Sequence, residues 1–320
     1  MLIYEASFSW QRYWFYKPFH RPKLNTIIIP RVCDSIIFAS QYWSNTRYPS
    51  FFLKNTVKIP GLILIAVLAC LQSFGQDNYE IQVYGAELVP VNYTMIELHS
   101  NYTAIGSTMI TDGVRPTQNA EHETIEITHG FTPWLEVGFY YFSSYNPHYG
   151  YNWVGDHIRP RVSIPESMNW PVGLSLSAEF GYQRPEYCND EYTLEIRPII
   201  DKKIGKWYLA LNPVADYAFK GTDAGKGLEF SPDFKVSYDI TKEIAFGLEY
   251  YGSFGPVDQF SPFQQQQHQV FPAIDLNLSP DWEFNFGVGK GFTSATDGLI
   301  FKMILGRRLG GNSGHKMKTF

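Results

Sequence analysis

The stretch WLEVGFYYF, residues 134–142, alternates strictly. Leu135, Val137, Phe139 and Tyr141 fall on one side of an extended chain, and Glu136, Gly138 and Tyr140 on the other. Successive side chains of a strand point to opposite faces, so this run reads as a strand with one bulky apolar face and one face that carries charge. The split recurs along the chain. Leu174, Leu176, Ala178 and Phe180 oppose Ser175, Ser177 and Glu179; Phe230, Phe234, Val236 and Tyr238 oppose Glu229, Asp233 and Lys235. Ile244, Phe246, Leu248 and Tyr250 oppose Glu249, while Phe284, Phe286 and Val288 oppose Asn285.

About twelve such segments follow one another: 92–102, 119–129, 134–144, 152–164, 172–182, 191–200, 206–217, 227–239, 243–253, 266–278, 281–290 and 298–309. Each is about ten residues long and bounded by Gly, Pro, Asn or Asp, as tilted membrane strands are. The connections at 130–133, 165–171, 201–205, 239–242 and 278–281 are short, whereas 103–118, 183–190, 218–226 and 254–265 are longer and Gly-rich or polar. Two others on the longer side, 145–151 and 291–297, are themselves brief. Short turns on one rim and loops on the other are the habit of a transmembrane barrel, with the short rim and both termini facing the periplasm. Alternation alone also fits a half-buried sheet in water, a β-sandwich or a lipocalin. The aromatic weight of the apolar face on nearly every segment favours lipid. The fold class predicted is all-β: an antiparallel transmembrane β-barrel of about twelve strands after an N-terminal signal peptide.

Composition agrees. The chain has 320 residues, 17% of them aromatic and only 18% charged, against about 25% charged in ordinary soluble domains. Up to residue 75 it carries eight Lys/Arg and two Asp/Glu; beyond that point, 18 Lys/Arg face 29 Asp/Glu. An acidic mature chain without a basic patch excludes nucleic acid as a partner. Cys33 and Cys70 lie in the leader, which leaves Cys188 alone and no intramolecular disulfide.

Residues 61–71 form an unbroken apolar run of eleven, too short to span a bilayer, which takes about 20 residues. Lys54 and Lys58 precede it and Ser73-Phe74-Gly75 follows. That order of charge, apolar run and small residues reads as a signal peptide over 53–75. A lipoprotein site at Val67-Leu68-Ala69-Cys70 and a buried helix are the alternatives. Residues 1–52 lie upstream of that complete leader and read as an extension outside the mature protein, mis-assigned or disordered. Residues 76–91 are assigned to a periplasmic leader segment, with an extra strand at 79–89 as the other reading; 92–309 is the barrel and 310–320 a flexible polar tail.

Trp134, Trp170, Trp207 and Trp282 each follow or end a short turn. Indole combines an apolar ring with an N–H that needs a polar partner, so the four are expected to form a girdle at one membrane interface. With the apolar face toward lipid, the lumen receives Glu97, Glu126, Glu136, Glu179, Glu195, Glu229, Asp233, Glu249, Asp275 and Glu283, opposed by Arg159, Arg161, Arg197, Lys235 and Lys302. A dry, unpaired charge costs several kcal/mol, so either water fills the barrel or these groups pair. Twelve strands lie between barrels packed with side chains and open pores. A narrow, wet, acidic lumen is expected, with this network as the candidate solute path. Pro160, Pro198, Pro213, Pro232 and Pro272 fall inside strands, where they have to mark bulges or kinks.

No HExxH, CxxC, GxSxG or phosphate-loop motif occurs. His99-Ser100 and Asp156-His157 are neighbours whose side chains diverge on a strand; His122 and Glu126 share a face and could line the lumen with Arg159. No catalytic residue, metal site or cofactor is expected.

The strings HETIEITHGFTPWLEVGFY, DHIRPRVSIPESMNWPVGLSLSAEFGYQRPEY, EIRPIID, EFSPDFKVSYD, GLEYYGS and HQVFPAIDLNLSPDWEFNFGVG resemble a family of bacterial outer-membrane barrels named after the meta-pathway of phenol degradation, whose members are often labelled transporters. The resemblance covers roughly 80–309. It implies an outer-membrane location, outer-membrane lipid and the barrel-assembly machinery as partners, and small solutes, aromatic ones among them, as cargo. The chain departs from the family at its end, where Leu309 leads into a polar tail to Phe320 instead of closing the last strand on an aromatic residue. The function expected is a passive or substrate-specific channel. A non-conducting structural or binding barrel closed by ion pairs is the second reading, and an outer-membrane hydrolase using His129 or Ser143 the third.

Overall fold

A computed structural model describes residues 78–310. The proposed extension, signal peptide and polar tail from residue 311 lie outside the described residues. The strands are β1 (Tyr93–Ile105), β2 (Ala120–Thr132), β3 (Leu135–Asn146), β4 (Gly150–Ser163), β5 (Gly173–Gln183), β6 (Asp190–Ile204), β7 (Trp207–Gly221), β8 (Leu228–Asp239), β9 (Ile244–Ser253), β10 (Gln267–Leu276), β11 (Trp282–Gly291) and β12 (Leu299–Gly310). Every strand pairs antiparallel with its sequence neighbours, and β1 closes on β12 from Tyr93↔Gly310 to Ile105↔Leu299. Closure removes both free edges, the condition for a sheet to cross a membrane, where no water is present to pair an exposed ladder.

The two faces of the wall differ as the alternation requires. Ile96, Leu98, Ile125, Ile127, Phe139, Ile158, Leu176, Phe180, Phe246, Leu248, Phe286 and Phe301 are exposed on the outside. Their strand neighbours Glu97, His99, Glu126, Arg159, Glu179, Glu249 and Lys302 are buried inside. A closed barrel with an apolar, aromatic exterior and a charged interior is a membrane barrel, and the protein is an outer-membrane one. Trp134, Trp170, Trp207 and Trp282 all lie exposed at the short-turn rim, on the turns or first residues of β3, β5, β7 and β11.

The interior is not empty. Residues 78–91 form no strand apart from an isolated bridge between Val91 and Gly130, yet Tyr79, Ile81, Val83, Tyr84 and Ala86 are buried. This segment, the strap, threads the barrel from the long-loop rim to the short-turn rim. At the upper end Asn78 donates to Asp297 of the β11–β12 loop (2.8 Å), and at the lower end the Asn92 N–H donates to the Gly130 carbonyl (2.9 Å). The sequence assigned it to the periplasm or to an extra strand. Its alternation arises because one side packs on the apolar part of the lumen and the other faces the wall's charges, a pattern that period two cannot tell from a strand.

The prolines also depart from expectation. The β4–β5 ladder passes from Ile158↔Phe180 to Arg161↔Ser177 without a pair at Pro160, in unchanged register. The β6–β7 ladder skips from Ile196↔Ala215 to Ile200↔Leu211 around Pro198 and Pro213, and β10–β11 skips from Val270↔Lys290 to Ala273↔Gly287 around Pro272. On their other sides Pro160 pairs with Val137, Pro198 with Leu176, Pro272 with Leu248, and Pro213 with Pro232. Each residue therefore turns its missing N–H to one neighbour and loses a rung there, with no bulge.

Gly130 shows how tightly the strap leaves the barrel: a Cβ there would lie 2.1 Å from the Val89 carbonyl oxygen and 2.5 Å from that of Pro90. Backbone cannot rotate away as a side chain can, so Gly130→Ala has to displace the strap's exit. Overpacking of this kind costs about 1–3 kcal/mol. The expected result is a lower temperature for loss of the compact, fast-migrating band on unboiled gels than the native chain shows.

Candidate functional site

With no partner strand, the strap takes its hydrogen bonds from wall side chains. Asn101 donates to the Asn78 carbonyl (2.9 Å), Thr124 to that of Tyr79 (2.7 Å), Lys302 to that of Ile81 (3.1 Å) and Arg197 to that of Gln82 (3.5 Å). Asn212 brackets Tyr84, accepting from its N–H (2.7 Å) and donating to its carbonyl (3.0 Å). Arg161 donates to the carbonyls of Gly85 (3.1 Å) and Glu87 (2.9 Å), Ser163 to that of Ala86 (2.8 Å), and the Val89 N–H donates to Glu136 (2.6 Å). These bonds come from seven strands of the wall: β1, β2, β3, β4, β6, β7 and β12.

Tyr84 sits at the centre. The guanidinium carbons of Arg159, Arg197 and Arg161 lie 4.5, 5.1 and 5.6 Å from its ring centroid, within cation–π range. Its hydroxyl donates to Glu80 and lies 3.1 Å from that of Tyr140. Around this plug the charges pair. Arg159 meets Glu126 (2.5 Å) and Glu136 (3.8 Å), and Arg161 meets Glu136 (2.7 Å). Arg197 joins Glu195 (2.6 Å) and Asp233 (2.9 Å). Lys235 joins Glu249 (3.1 Å) and Asp275 (2.8 Å), and Lys302 also binds Glu249. Glu179 pairs with His157 (2.5 Å).

The structure thus brings together most of the residues singled out from the sequence, though as clamps on a strap and not along an open passage. Two stand apart. Glu229, near the long-loop end of β8, makes no ion pair among the described residues, and Glu97 makes none either, although it is buried inside. His122 packs edge-on against Tyr79 at 4.9 Å and does not reach Arg159; His99 takes the place beside Glu126. Sequence reasoning placed Tyr140 inward but passed over Tyr84, Asn212 and most of the apolar residues that also point inward. Tyr140, Phe142 and Val154 close on Tyr79, while Ala210, Tyr251, Phe271 and Ile300 close on Ile81 and Val83. The lumen is therefore not a continuous wet passage. Below the Tyr84 layer lies a vestibule of about 150 Å³, bounded by the strap, Met95, Glu97, Tyr208 and Phe284. His129 and Ser143, which a hydrolase would need, lie apart on β2 and β3: His129 is opposite Val137, and Ser143 opposite Glu123.

Glu249 carries two lysines, accepts from the Tyr251 hydroxyl (2.8 Å) and from Asn285 (3.2 Å), and is buried. Removing one partner of a buried pair costs about 3–5 kcal/mol, whereas replacing both by apolar groups is often near neutral. Glu249→Leu is expected to lower the urea midpoint of unfolding from micelles strongly. Glu249→Leu combined with Lys302→Met is expected to recover part of that loss.

Residues 158–301 match the family model described as "Putative MetA-pathway of phenol degradation". Comparison with curated proteins returned no match. Among solved structures the chain is similar to the KdgM porin (10% identity, covering 67% of this chain and 98% of that one, TM-score 0.43). It is similar also to the outer membrane protein Omp33 of Acinetobacter baumannii (11%, 71% and 100%, 0.38) and to the outer membrane channel DcaP of the same organism (8%, 68% and 96%, 0.32). The resemblance to the meta-pathway family of outer-membrane barrels accordingly holds from the middle of β4 into β12.

Proposed function

We propose that the protein is an outer-membrane channel for small solutes, aromatic compounds among them, held closed in this state by the strap of residues 78–91. The observation that carries this reading is the way the strap is held. Its backbone is bound by side chains and not by a ladder, so it can shift or leave without breaking a single strand pairing of the wall. Its lower end already borders a vestibule at the short-turn rim. Aromatic cargo rests on the family match alone. No covalent chemistry and no cofactor enter this reading; transport would be passive, along the face that now grips the strap.

A second reading, a non-conducting structural or binding barrel, is favoured by the apolar contact of Ile81 and Val83 with Phe271 and Ile300. That contact makes the strap part of the core as much as a gate.

Planar-bilayer recording separates the two. The native chain is expected to conduct rarely and briefly. A variant in which residues 80–87 are replaced by an equally long Gly/Ser segment is expected to show frequent, larger openings. Carboxylates outnumber cations among the inward groups, so the reversal potential in a salt gradient should report cation preference. If the replaced variant migrates as a folded barrel yet passes no current at any voltage, the channel reading fails and the second stands.

A further inference from the structure

Glu97 of β1 and Glu126 of β2 face each other directly across the ladder, both pointing inward. Like charges opposite one another in a sheet are destabilising, and here both are out of bulk water. Arg159 offsets one of them. It donates to Oε1 of Glu126 (2.5 Å), which Thr128 also contacts (2.6 Å). Oε2 of Glu126 has no hydrogen-bond partner, and the Nε2 of His99 lies 3.5 Å from it. His99 is fully buried, and neither ring nitrogen has a hydrogen-bond partner. Glu97 has no ion pair among the described residues; Arg308, the next cation toward the rim, is engaged by Glu283 (3.1 Å).

A buried imidazole without a hydrogen bond, beside two carboxylates that share one guanidinium, leaves a place for a positive charge with three ligands. One donor atom from each of Glu97, His99 and Glu126 lies within 4.8 Å of the others. Side-chain rotation has to close that spacing for the set to hold one ion at bonds of about 2.0–2.2 Å. We propose that Glu97, His99 and Glu126 form a binding site for a divalent transition-metal ion of the zinc class. Arg159 and Thr128 hold the non-ligating oxygen of Glu126, the orienting role that outer contacts play around metal ligands. Glu97 and Glu126 border the vestibule, so the ion can enter from the short-turn rim and water can complete its coordination. One imidazole and two carboxylates suit zinc, manganese or iron(II) better than the thiolate-preferring ions. This inference is independent of whether the barrel conducts.

The test uses the untagged chain folded in detergent, stripped with a chelator, dialysed against Zn²⁺ and assayed for bound metal by mass spectrometry. The expected result is one retained zinc ion per chain. Glu97→Gln and His99→Gln should each abolish retention while keeping the folded gel mobility, and Glu229→Gln, remote from the site, should leave it unchanged. X-ray absorption on the Zn²⁺-loaded native chain should show one imidazole and an otherwise oxygen shell, a readout that needs no variant to fold. No retained zinc, equal retention in the two ligand variants, or a shell without imidazole overturns the proposal.

Discussion

A peptide backbone that lies inside a membrane barrel without a partner strand must find its hydrogen bonds on side chains or water. Irregular backbone at membrane depth is tolerated only where protein or water satisfies it, because an unsatisfied peptide group costs several kcal/mol. Residues 78–91 impose this constraint on the whole interior. Carbonyls need donors with reach, which is why the inward positions opposite the strap hold Arg161, Arg197 and Lys302. Those cations, buried in turn, need anions, which is the task of Glu136, Glu195, Asp233 and Glu249. The charges of the lumen form two tiers: one holds the strap, and the other neutralises the holders.

The tiers do not balance everywhere. Glu179 lies opposite Glu195 as Glu97 lies opposite Glu126. The first of these facing pairs is resolved by His157 on one member and Arg197 on the other. The second has a cation on Glu126 only. Two like pairs in one barrel, treated differently, point to a difference in what each place is for. At the upper pair each carboxylate meets a basic side chain, and the surrounding lumen is packed with rings such as Phe142, which meets His157 edge-on at 4.6 Å. At the lower pair the compensation is incomplete and the lumen opens into the vestibule.

The wall was legible in the sequence and its contents were not. Alternation fixes which residues face lipid, so strand limits such as Leu228–Asp239 and Ile244–Ser253 fall within a residue or two of the period-two segments. The inward charges followed from the same periodicity. The strap escaped because its own alternation is indistinguishable from that of a strand, and only the absence of a ladder partner tells them apart. The inward Phe142, Tyr251 and Phe271 escaped for a related reason: an aromatic residue among aromatic residues carries no mark of the face it occupies. Parity put His122 with Glu126, but the contact depends on height in the barrel as well as on face, and His99, a near neighbour across the β1–β2 ladder, is the one that reaches it. The prolines were misread for want of the second neighbour, since a residue in a barrel has two ladders and can forgo one.

A strap fixed by side chains differs from an added strand in how it can be released. A thirteenth strand could not be withdrawn without reopening the sheet, and its ladder bonds would break together. The bonds that hold residues 78–91 come from seven strands of the barrel and can be exchanged one at a time. Each is a net contribution of about 1.5–3 kcal/mol where the partner is charged, and its loss is softened once water reaches the vacated donor. Arg161 illustrates the point: it holds both Gly85 and Glu87 at the border of the vestibule, where solvent can replace the two carbonyls as they leave. Arg197, higher up and bound to Glu195 and Asp233, keeps its anionic partners whether or not the strap is present. Release would thus begin at the short-turn rim and run upward, and it would meet its main resistance at Ile81 and Val83, whose apolar partners gain nothing from the water that follows.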